Sequence, residues 1–211
     1  MNFSKKSSCI LLSLFLIMGM TACSPSGVGG GKAVSHPQQE KKTPSSAGKK
    51  TASKKAEAPK SVPVNWNAPS GGAYPVLKKG ENIWLDVSVS KQRVYVKNGN
   101  QTLYTMVAST GLDNGPDTTT PLGTYHIQAE RGTWFYAPQY KEGAEYWVSW
   151  KNHGEFLFHS VPMDKNKHVL KADAEKLGRE EDSHGCIHLT IPDAKWIYEN
   201  IPFNTKVVIH K

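Results

Sequence analysis

An abrupt change of composition near residue 66 decides which part of this chain can fold. Residues 24–65 are rich in Ser, Gly, Pro, Lys, Ala and Thr and contain no aromatic residue. Such a segment cannot bury enough apolar surface to offset the entropy that it would lose on ordering. The sequence therefore predicts a disordered tether over residues 23–65 and one folded domain over residues 66–211.

The first 22 residues have the pattern of an export signal. Lys5 and Lys6 precede an apolar run over residues 10–20, and small residues follow directly before Cys23. This order is typical of a secretory signal peptide, and the run is too short to span a bilayer stably. The segment around Cys23 resembles a bacterial lipobox, which implies a lipidated N-terminus, an exported protein and a membrane anchor facing the cell wall. A plain signal peptide is the alternative.

The positive charge of the chain belongs to the tether. The formal net charge is +8, but residues 23–65 hold eight lysines against two glutamates, whereas residues 66–211 hold 16 basic and 16 acidic residues. A neutral folded part excludes the basic face of a nucleic-acid-binding domain. The basic tether would be attracted to anionic lipid and wall polymers, or it serves solubility alone.

One cysteine lies beyond the export region. Cys186 sits within residues 183–189 (Ser-His-Gly-Cys-Ile-His-Leu), and an exported lone thiol favours a reactive cysteine over a structural one. A glycine before it lets backbone N–H groups turn toward one point. His159, at the polar end of an apolar run, is a candidate base for the thiol. A buried structural thiol is the competing interpretation.

Alternating apolar residues from residue 83 onward predict a mostly β domain with one or two short helices. Residues 134–138 are predicted as an aromatic loop, and Asn98-Gly99 as a hairpin turn. Pro192 with Thr190 as cap predicts a helix, and a second short helix is expected near residues 172–177. The predicted strands cover residues 83–89, 93–96, 102–109, 123–129, 146–150, 155–159 and 205–210.

Five short motifs, at residues 92–96, 109–111, 120–123, 159–160 and 183–187, together resemble those of the L,D-transpeptidases with a YkuD-type catalytic domain. The resemblance covers residues 83–211. The resemblance implies a β-sandwich or barrel-like catalytic domain. One departure is His188, which stands where the family most often has arginine. The spacer before Cys186 is longer than in compact members and is similar to that of a Gram-positive branch. The motifs are His159-Ser160, Ser183-His184-Gly185-Cys186-Ile187, Gln92 with residues 93–96, Ser109-Thr110-Gly111 and Thr120-Pro121-Leu122-Gly123.

The resemblance also implies roles for the site residues. Cys186 would be the nucleophile, and His159 its general base and partner in a thiolate–imidazolium pair. Ser160 would orient His159, through either its backbone or its hydroxyl. In the cysteine loop, Gly185 and Cys186 would offer oxyanion-hole N–H groups, His184 could add another, and Ser183 would shape the loop.

Contacts to substrate are implied as well. His188 would contact donor peptide or carboxylate in place of the usual arginine, but it carries a charge only near or below its pKa. An aromatic lid would contain Trp134, Phe135, Tyr136, Tyr146 and Trp147, for which ordinary core packing is nearly as good an explanation, particularly for Trp147.

The resemblance implies a peptidoglycan L,D-transpeptidase that needs no cofactor or metal and acts on stem peptides as a monomer. It would cleave the bond before the terminal D-alanine of a tetrapeptide and transfer the acyl group to an amine, so that the wall is cross-linked or modified. Transfer to water would make it an L,D-carboxypeptidase. Two competing hypotheses are a zinc or copper site built from His159, His184, Cys186 and His188, and a non-catalytic wall-binding lipoprotein.

Overall fold

The computed structural model describes residues 64–211. The predicted signal peptide, Cys23 and all but the end of the predicted tether lie outside these residues. The expected mostly β class with few short helices is confirmed. In chain order the elements are β1 (Ile83–Ser88), β2 (Arg93–Asn98), β3 (Gln101–Val107), β4 (Gly123–His126), β5 (Arg131–Ala137), β6 (Glu142–Lys151), β7 (Phe156–Ser160), α1 (Lys171–Ala174), β8 (Ile187–Leu189), α2 (Ile191–Asn200) and β9 (Lys206–His210).

Two mixed sheets share one apolar core. The first has the strand order β3-β2-β1-β9-β4 and the second the order β5-β6-β7-β8. Alternation puts Leu85 and Val87 of β1 fully inside, together with Phe158 of β7 and Ile187 of β8. Burying one such side chain contributes about 1.5–3 kcal/mol, so this shared core holds the two sheets together.

Helix α2 begins where the sequence predicts. The hydroxyl of Thr190 accepts a hydrogen bond from the Asp193 N–H at 3.2 Å, and Pro192 lies in the first turn. The helix packs against β6 and β7 and so supports the sheet that carries the cysteine. Neither helix within residues 64–211 has the length and apolar character required to cross a bilayer.

The second sheet differs from the sequence prediction in two places, one predicted wrongly and one not predicted. Residues 134–138 were expected to form a loop, but most of them belong to β5, because aromatic side chains suit a pleated surface and β6 offers a ten-residue partner. Strand β8 was not predicted. It has three residues and exists through parallel pairing with β7, a partner distant in sequence.

The packed region begins before residue 66. Val64 and Trp66 pack against a small cluster made of Val161, Ala174 and Leu177. The Trp66 carbonyl also accepts a hydrogen bond from the N–H at the start of α2, at 2.9 Å. The folded unit therefore includes Val64, which the sequence places in the tether.

Candidate active site

The pairing of β7 with β8 places the cysteine and two histidines on one face of the sheet. These strands are parallel, and His159 lies opposite His188. Side chains two residues apart share a face of an extended chain, so Cys186 projects to the same side as His188. All three line one cavity of about 600 Å³.

His159 is held in one orientation. Its side chain is 5 % exposed, and its Nδ1–H donates to the Ser160 carbonyl oxygen at 2.7 Å. Because a carbonyl oxygen only accepts, the neutral ring keeps Nε2 free as a proton acceptor. The edge of Phe135 packs against the ring, with 5.4 Å between centroids. The ring is therefore fixed as a base.

Ser160 acts on His159 through its backbone. Its hydroxyl donates to the Val161 carbonyl at 3.0 Å and accepts from the Glu145 N–H at 2.9 Å. Both hydrogen bonds of this hydroxyl are to backbone groups, so it is the Ser160 carbonyl oxygen that is hydrogen-bonded to the imidazole.

Desolvation favours the neutral forms of both reacting groups. Burial raises the pKa of the Cys186 thiol to about 12, the charges of Glu155 and Glu142 add to the rise, and the Leu157 N–H opposes it. Burial lowers the pKa of His159 to about 4, against the opposing effect of its carbonyl partner. Burial therefore favours the neutral thiol and imidazole over the expected thiolate–imidazolium pair. Proton transfer from sulfur to Nε2 has to accompany attack.

The cysteine loop needs a glycine before the nucleophile. Gly185 has a φ of 103°, and a Cβ there would lie 2.7 Å from the Phe156 ring. The Ser183 hydroxyl donates to the Cys186 carbonyl and accepts from the Gly185 N–H at 3.1 Å. This N–H is engaged, so the expected oxyanion role of Gly185 is corrected. The N–H groups of His184 and Cys186 have no acceptor within residues 64–211.

The upstream motifs form a layer directly beneath this loop. The Gln92 side-chain amide forms two hydrogen bonds with Thr110. Its Oε1 accepts from the Thr110 N–H at 2.7 Å, and its Nε2 donates to the Thr110 hydroxyl at 2.8 Å. The next residue, Gly111, donates its N–H to the Thr120 hydroxyl at 2.7 Å, and that hydroxyl donates to the Gly185 carbonyl at 3.0 Å. Three separated motifs therefore converge on the backbone around the cysteine.

His188 is enclosed rather than presented to solvent. It is 4 % exposed, and its ring lies 4.8 Å from that of His159. Its Nδ1 is 3.7 Å from Asp182 Oδ2, and within residues 64–211 neither atom has a hydrogen-bond partner. Burial, with the neighbouring His159, His184 and Lys176, holds its pKa well below the usual range. The expected cationic substrate contact is therefore disfavoured, because the enclosed ring is neutral.

Of the five aromatic residues expected in the lid, Phe135 and Trp147 line the cavity, whereas Trp134, Tyr136 and Tyr146 do not. Trp134 and Tyr136 alternate along β5 with Phe135 and Ala137, and only the latter two reach the cavity wall. Tyr146 adopts a φ of 55° within β6 and packs toward a tyrosine of α2. Its neighbour Trp147 faces the cavity instead.

Several other residues of the cavity wall were not predicted from the sequence. The lining contains the carboxylates Asp117, Glu142 and Glu155 but, among the described residues, no lysine or arginine. Tyr140 also lines it and stacks on His184, with 4.2 Å between ring centroids. No local motif marks these residues, because strand pairing and turns bring them to the cavity.

The four residues considered as a metal site do not converge on one point. Within the part of the chain that the structure describes, no group of three or more His, Cys, Asp or Glu side chains could hold an ion. The shared cavity face instead suits nucleophile–base chemistry.

Comparison with known proteins gives two matches to this sequence. The sequence model of YkuD, the L,D-transpeptidase catalytic domain, matches residues 82–209. YciB of Bacillus subtilis (strain 168), provisionally named an L,D-transpeptidase, is 60 % identical over 146 residues, which cover 69 % of this chain and 74 % of YciB.

Solved structures extend the likeness to the fold. L,D-transpeptidases from Mycobacterium smegmatis and Mycobacterium tuberculosis H37Rv each match with a TM-score of 0.50, at 18 % and 22 % identity. Each match covers 63 % of this chain, which spans 60 % and 59 % of those two chains. At such identities the likeness concerns the fold alone.

Proposed function

This chain belongs to the YkuD family of L,D-transpeptidase catalytic domains, and from that premise we propose that it is an exported peptidoglycan L,D-transpeptidase. One observation carries the proposal. Cys186 and the Nε2 face of an immobilised His159 line the same cavity, whose volume of about 600 Å³ suits a peptide segment. Family membership alone would not assign these two residues.

The reaction would proceed in two acyl transfers. The Cys186 sulfur attacks the carbonyl before the terminal D-alanine while His159 Nε2 takes the thiol proton, since neither group is charged at rest. The N–H groups of His184 and Cys186 donate to the developing oxyanion. His159 returns the proton to the departing amine. An amine of a second stem then attacks the thioester, whereas attack by water would give an L,D-carboxypeptidase.

Mass spectrometry of one incubation tests this function. Purified protein with disaccharide-tetrapeptide should release D-alanine, form a thioester on Cys186 and yield a cross-linked product. Cys186→Ala should abolish the thioester. His159→Ala should slow its formation by about 10²–10⁴-fold, the usual contribution of a general base. The exposed His153 provides the matched control, and His153→Ala should react like the wild type.

A folded wild-type protein that forms no thioester would contradict the proposal. A carbapenem offers an independent probe, since its strained lactam carbonyl acylates a reactive cysteine. A single adduct on the Cys186 peptide in a chelator-treated sample supports the cysteine enzyme. An adduct that forms equally fast in His159→Ala would remove His159 from its role.

We propose further that Cys23 is lipidated and holds the domain at the membrane, facing the wall. The support is the apolar run and the small residues before Cys23. Cys23→Ala should move the protein from the detergent phase to the aqueous phase on detergent partitioning. If wild type and variant both stay aqueous, the protein is secreted without an anchor.

A further inference from the structure

A carboxylate without a partner stands in the wall of the reactive cavity. Glu142 is the first residue of β6 and pairs with Ala137 of β5, and both line the cavity that contains Cys186 and His159. Its side chain is half-buried. Within residues 64–211 that side chain makes no hydrogen bond and no ion pair. A half-buried carboxylate left unpaired is costly unless a ligand pairs with it.

The groups around Glu142 keep it unpaired. Lys176, whose positive charge acts on Glu142, forms ion pairs with Asp173 at 3.2 Å and with Asp182 instead. Burial raises the pKa of Glu142 to about 7, the charges of Asp173 and Asp182 add to the rise, and Lys176 opposes it. A carboxyl group that titrates near neutral pH both accepts and releases a proton readily.

The cavity as a whole is built for a positive group. Asp117 and Glu155 also line the wall, and no lysine or arginine of the described residues does. Burial holds the pKa of His188, which stands where the family usually carries arginine, well below its usual range. Clefts lined by one sign of charge concentrate ligands of the other sign. In a transfer between stem peptides, the cation that must reach Cys186 is the primary ammonium group of the acceptor.

We propose that Glu142 binds the primary ammonium group of the acceptor stem peptide and removes the proton that blocks its attack. The inference rests on the proposed function and adds to it the residue that selects an amine over water. Glu142 is close enough to Cys186 for its charge to raise the pKa of the thiol. Both residues line one cavity, so both can reach a thioester formed there.

The proton balance of the step is complete. The ammonium group gives one proton to the Glu142 carboxylate, and the freed lone pair forms the C–N bond to the thioester carbonyl. The C–S bond then breaks and its electrons go to sulfur. The second nitrogen proton passes through His159 Nε2 to that sulfur, which restores the neutral thiol. Glu142 releases its proton to solvent when the product leaves.

Glu142→Gln tests the proposal, and Glu199→Gln, at an exposed carboxylate of α2 outside the cavity, is the control. The tetrapeptide donor and an amine-bearing stem peptide acceptor are mixed with each protein, and thioester formation, cross-linked product and hydrolysed tripeptide are measured by mass spectrometry. At pH 7, Glu142→Gln should transfer to the amine about 10²-fold more slowly. Thioester formation should be unchanged or faster, because a charge that raises the thiol pKa is gone. Glu199→Gln should keep the wild-type ratio of transfer to hydrolysis.

A second measurement separates amine binding from general damage. The inactive variant Cys186→Ala should bind the acceptor peptide more tightly than it binds the same peptide with an acetylated side-chain amine. The double variant Cys186→Ala/Glu142→Gln should lose this preference. Above about pH 10.4, where a side-chain amine loses its proton unaided, transfer by Glu142→Gln should approach that of the wild type.

Two results would overturn the inference while leaving the proposed function intact. One is wild-type transfer by Glu142→Gln at pH 7. The other is a loss of thioester formation as large as the loss of transfer, which would assign Glu142 to the donor step or to folding. A wild-type protein that forms no thioester would instead contradict the proposed function itself.

Discussion

Burial sets the charge of the reactive side chains, residue by residue. His159 and His188 lie side by side on paired strands, almost without exposure, and no carboxylate within residues 64–211 forms a hydrogen bond to either ring. Both histidines are therefore neutral at a pH where free histidine is partly charged, because burial lowers the pKa of each. Each histidine gains a proton when the protein unfolds in acid. The burial of these two rings therefore makes the free energy of unfolding depend on pH.

The free energy of unfolding should fall as the pH drops from about 6.5 to 4. The unfolded chain binds the proton of His159 first, so the folded state loses stability below the unfolded pKa, by as much as about 3 kcal/mol at the folded pKa of about 4. His188 adds a loss of the same sign. His159→Gln should flatten this slope in urea unfolding at several pH values. The exposed His153→Gln should not change it, and equal slopes for His159→Gln and the wild type would contradict the burial argument.

At the scale of elements, one hydroxyl connects the segment after β3 to the cysteine loop. Thr120 is 2 % exposed and joins the Gly111 N–H to the Gly185 carbonyl. The two glycines approach closely, since a Cβ on Gly111 would lie 2.7 Å from the Gly185 backbone. The position of Cys186 thus depends on a contact between segments far apart in sequence.

Thr120→Val should destabilise the fold by about 1–3 kcal/mol, because it leaves the buried Gly111 N–H without an acceptor. Thioester formation at Cys186 should also slow, since the loop loses one of its supports. Thermal unfolding and the acylation rate measure the two effects. Thr118→Val is the control, because the Thr118 hydroxyl bonds to Asn114 at the surface. A variant at Thr120 that behaves like this control would show that the bridge has no role.

For the whole molecule, a buried carboxylate attaches the first described segment to the rest. Asp193 of α2 is fully buried and accepts hydrogen bonds from the Ser70 N–H and hydroxyl and from the hydroxyls of Tyr74 (2.7 Å) and Tyr104 (3.4 Å). Tyr74 also stacks on Trp196 of the same helix, with 5.6 Å between centroids. The segment before β1 is therefore part of the domain, although the family match starts at residue 82.

A chain that begins at residue 64 should unfold at the same temperature as the full chain. One that begins at residue 82 should lose about 3–5 kcal/mol, since it removes most partners of the buried Asp193 carboxylate. Asp193→Ala in the longer chain removes the same network and should reduce its stability to a similar degree. Equal melting temperatures for the two truncations would show that the segment contributes nothing.

Local patterns in the sequence were sufficient for much of the architecture. Strand alternation, the Asn98-Gly99 turn and the Thr190 cap each depend on neighbouring residues only, and each lies where it was predicted. The motifs around Cys186 and His159 likewise indicated the family, because short chemical signatures survive in linear order. These features require no knowledge of distant contacts.

Only the tertiary structure decided the chemistry of the site. Strand β8 exists through its pairing with β7, and that register brings His188 against His159. The neutral state of Cys186 follows from desolvation, which raises the thiol pKa and which no linear pattern reports. Glu142 reaches the cavity because β6 pairs with β5, and its proton affinity is set by burial and by acidic groups some 30 to 40 positions along the chain. The sequence by itself determined which residue types are present and where most of the strands form. Long-range pairing and exclusion of water determined what those residues can do.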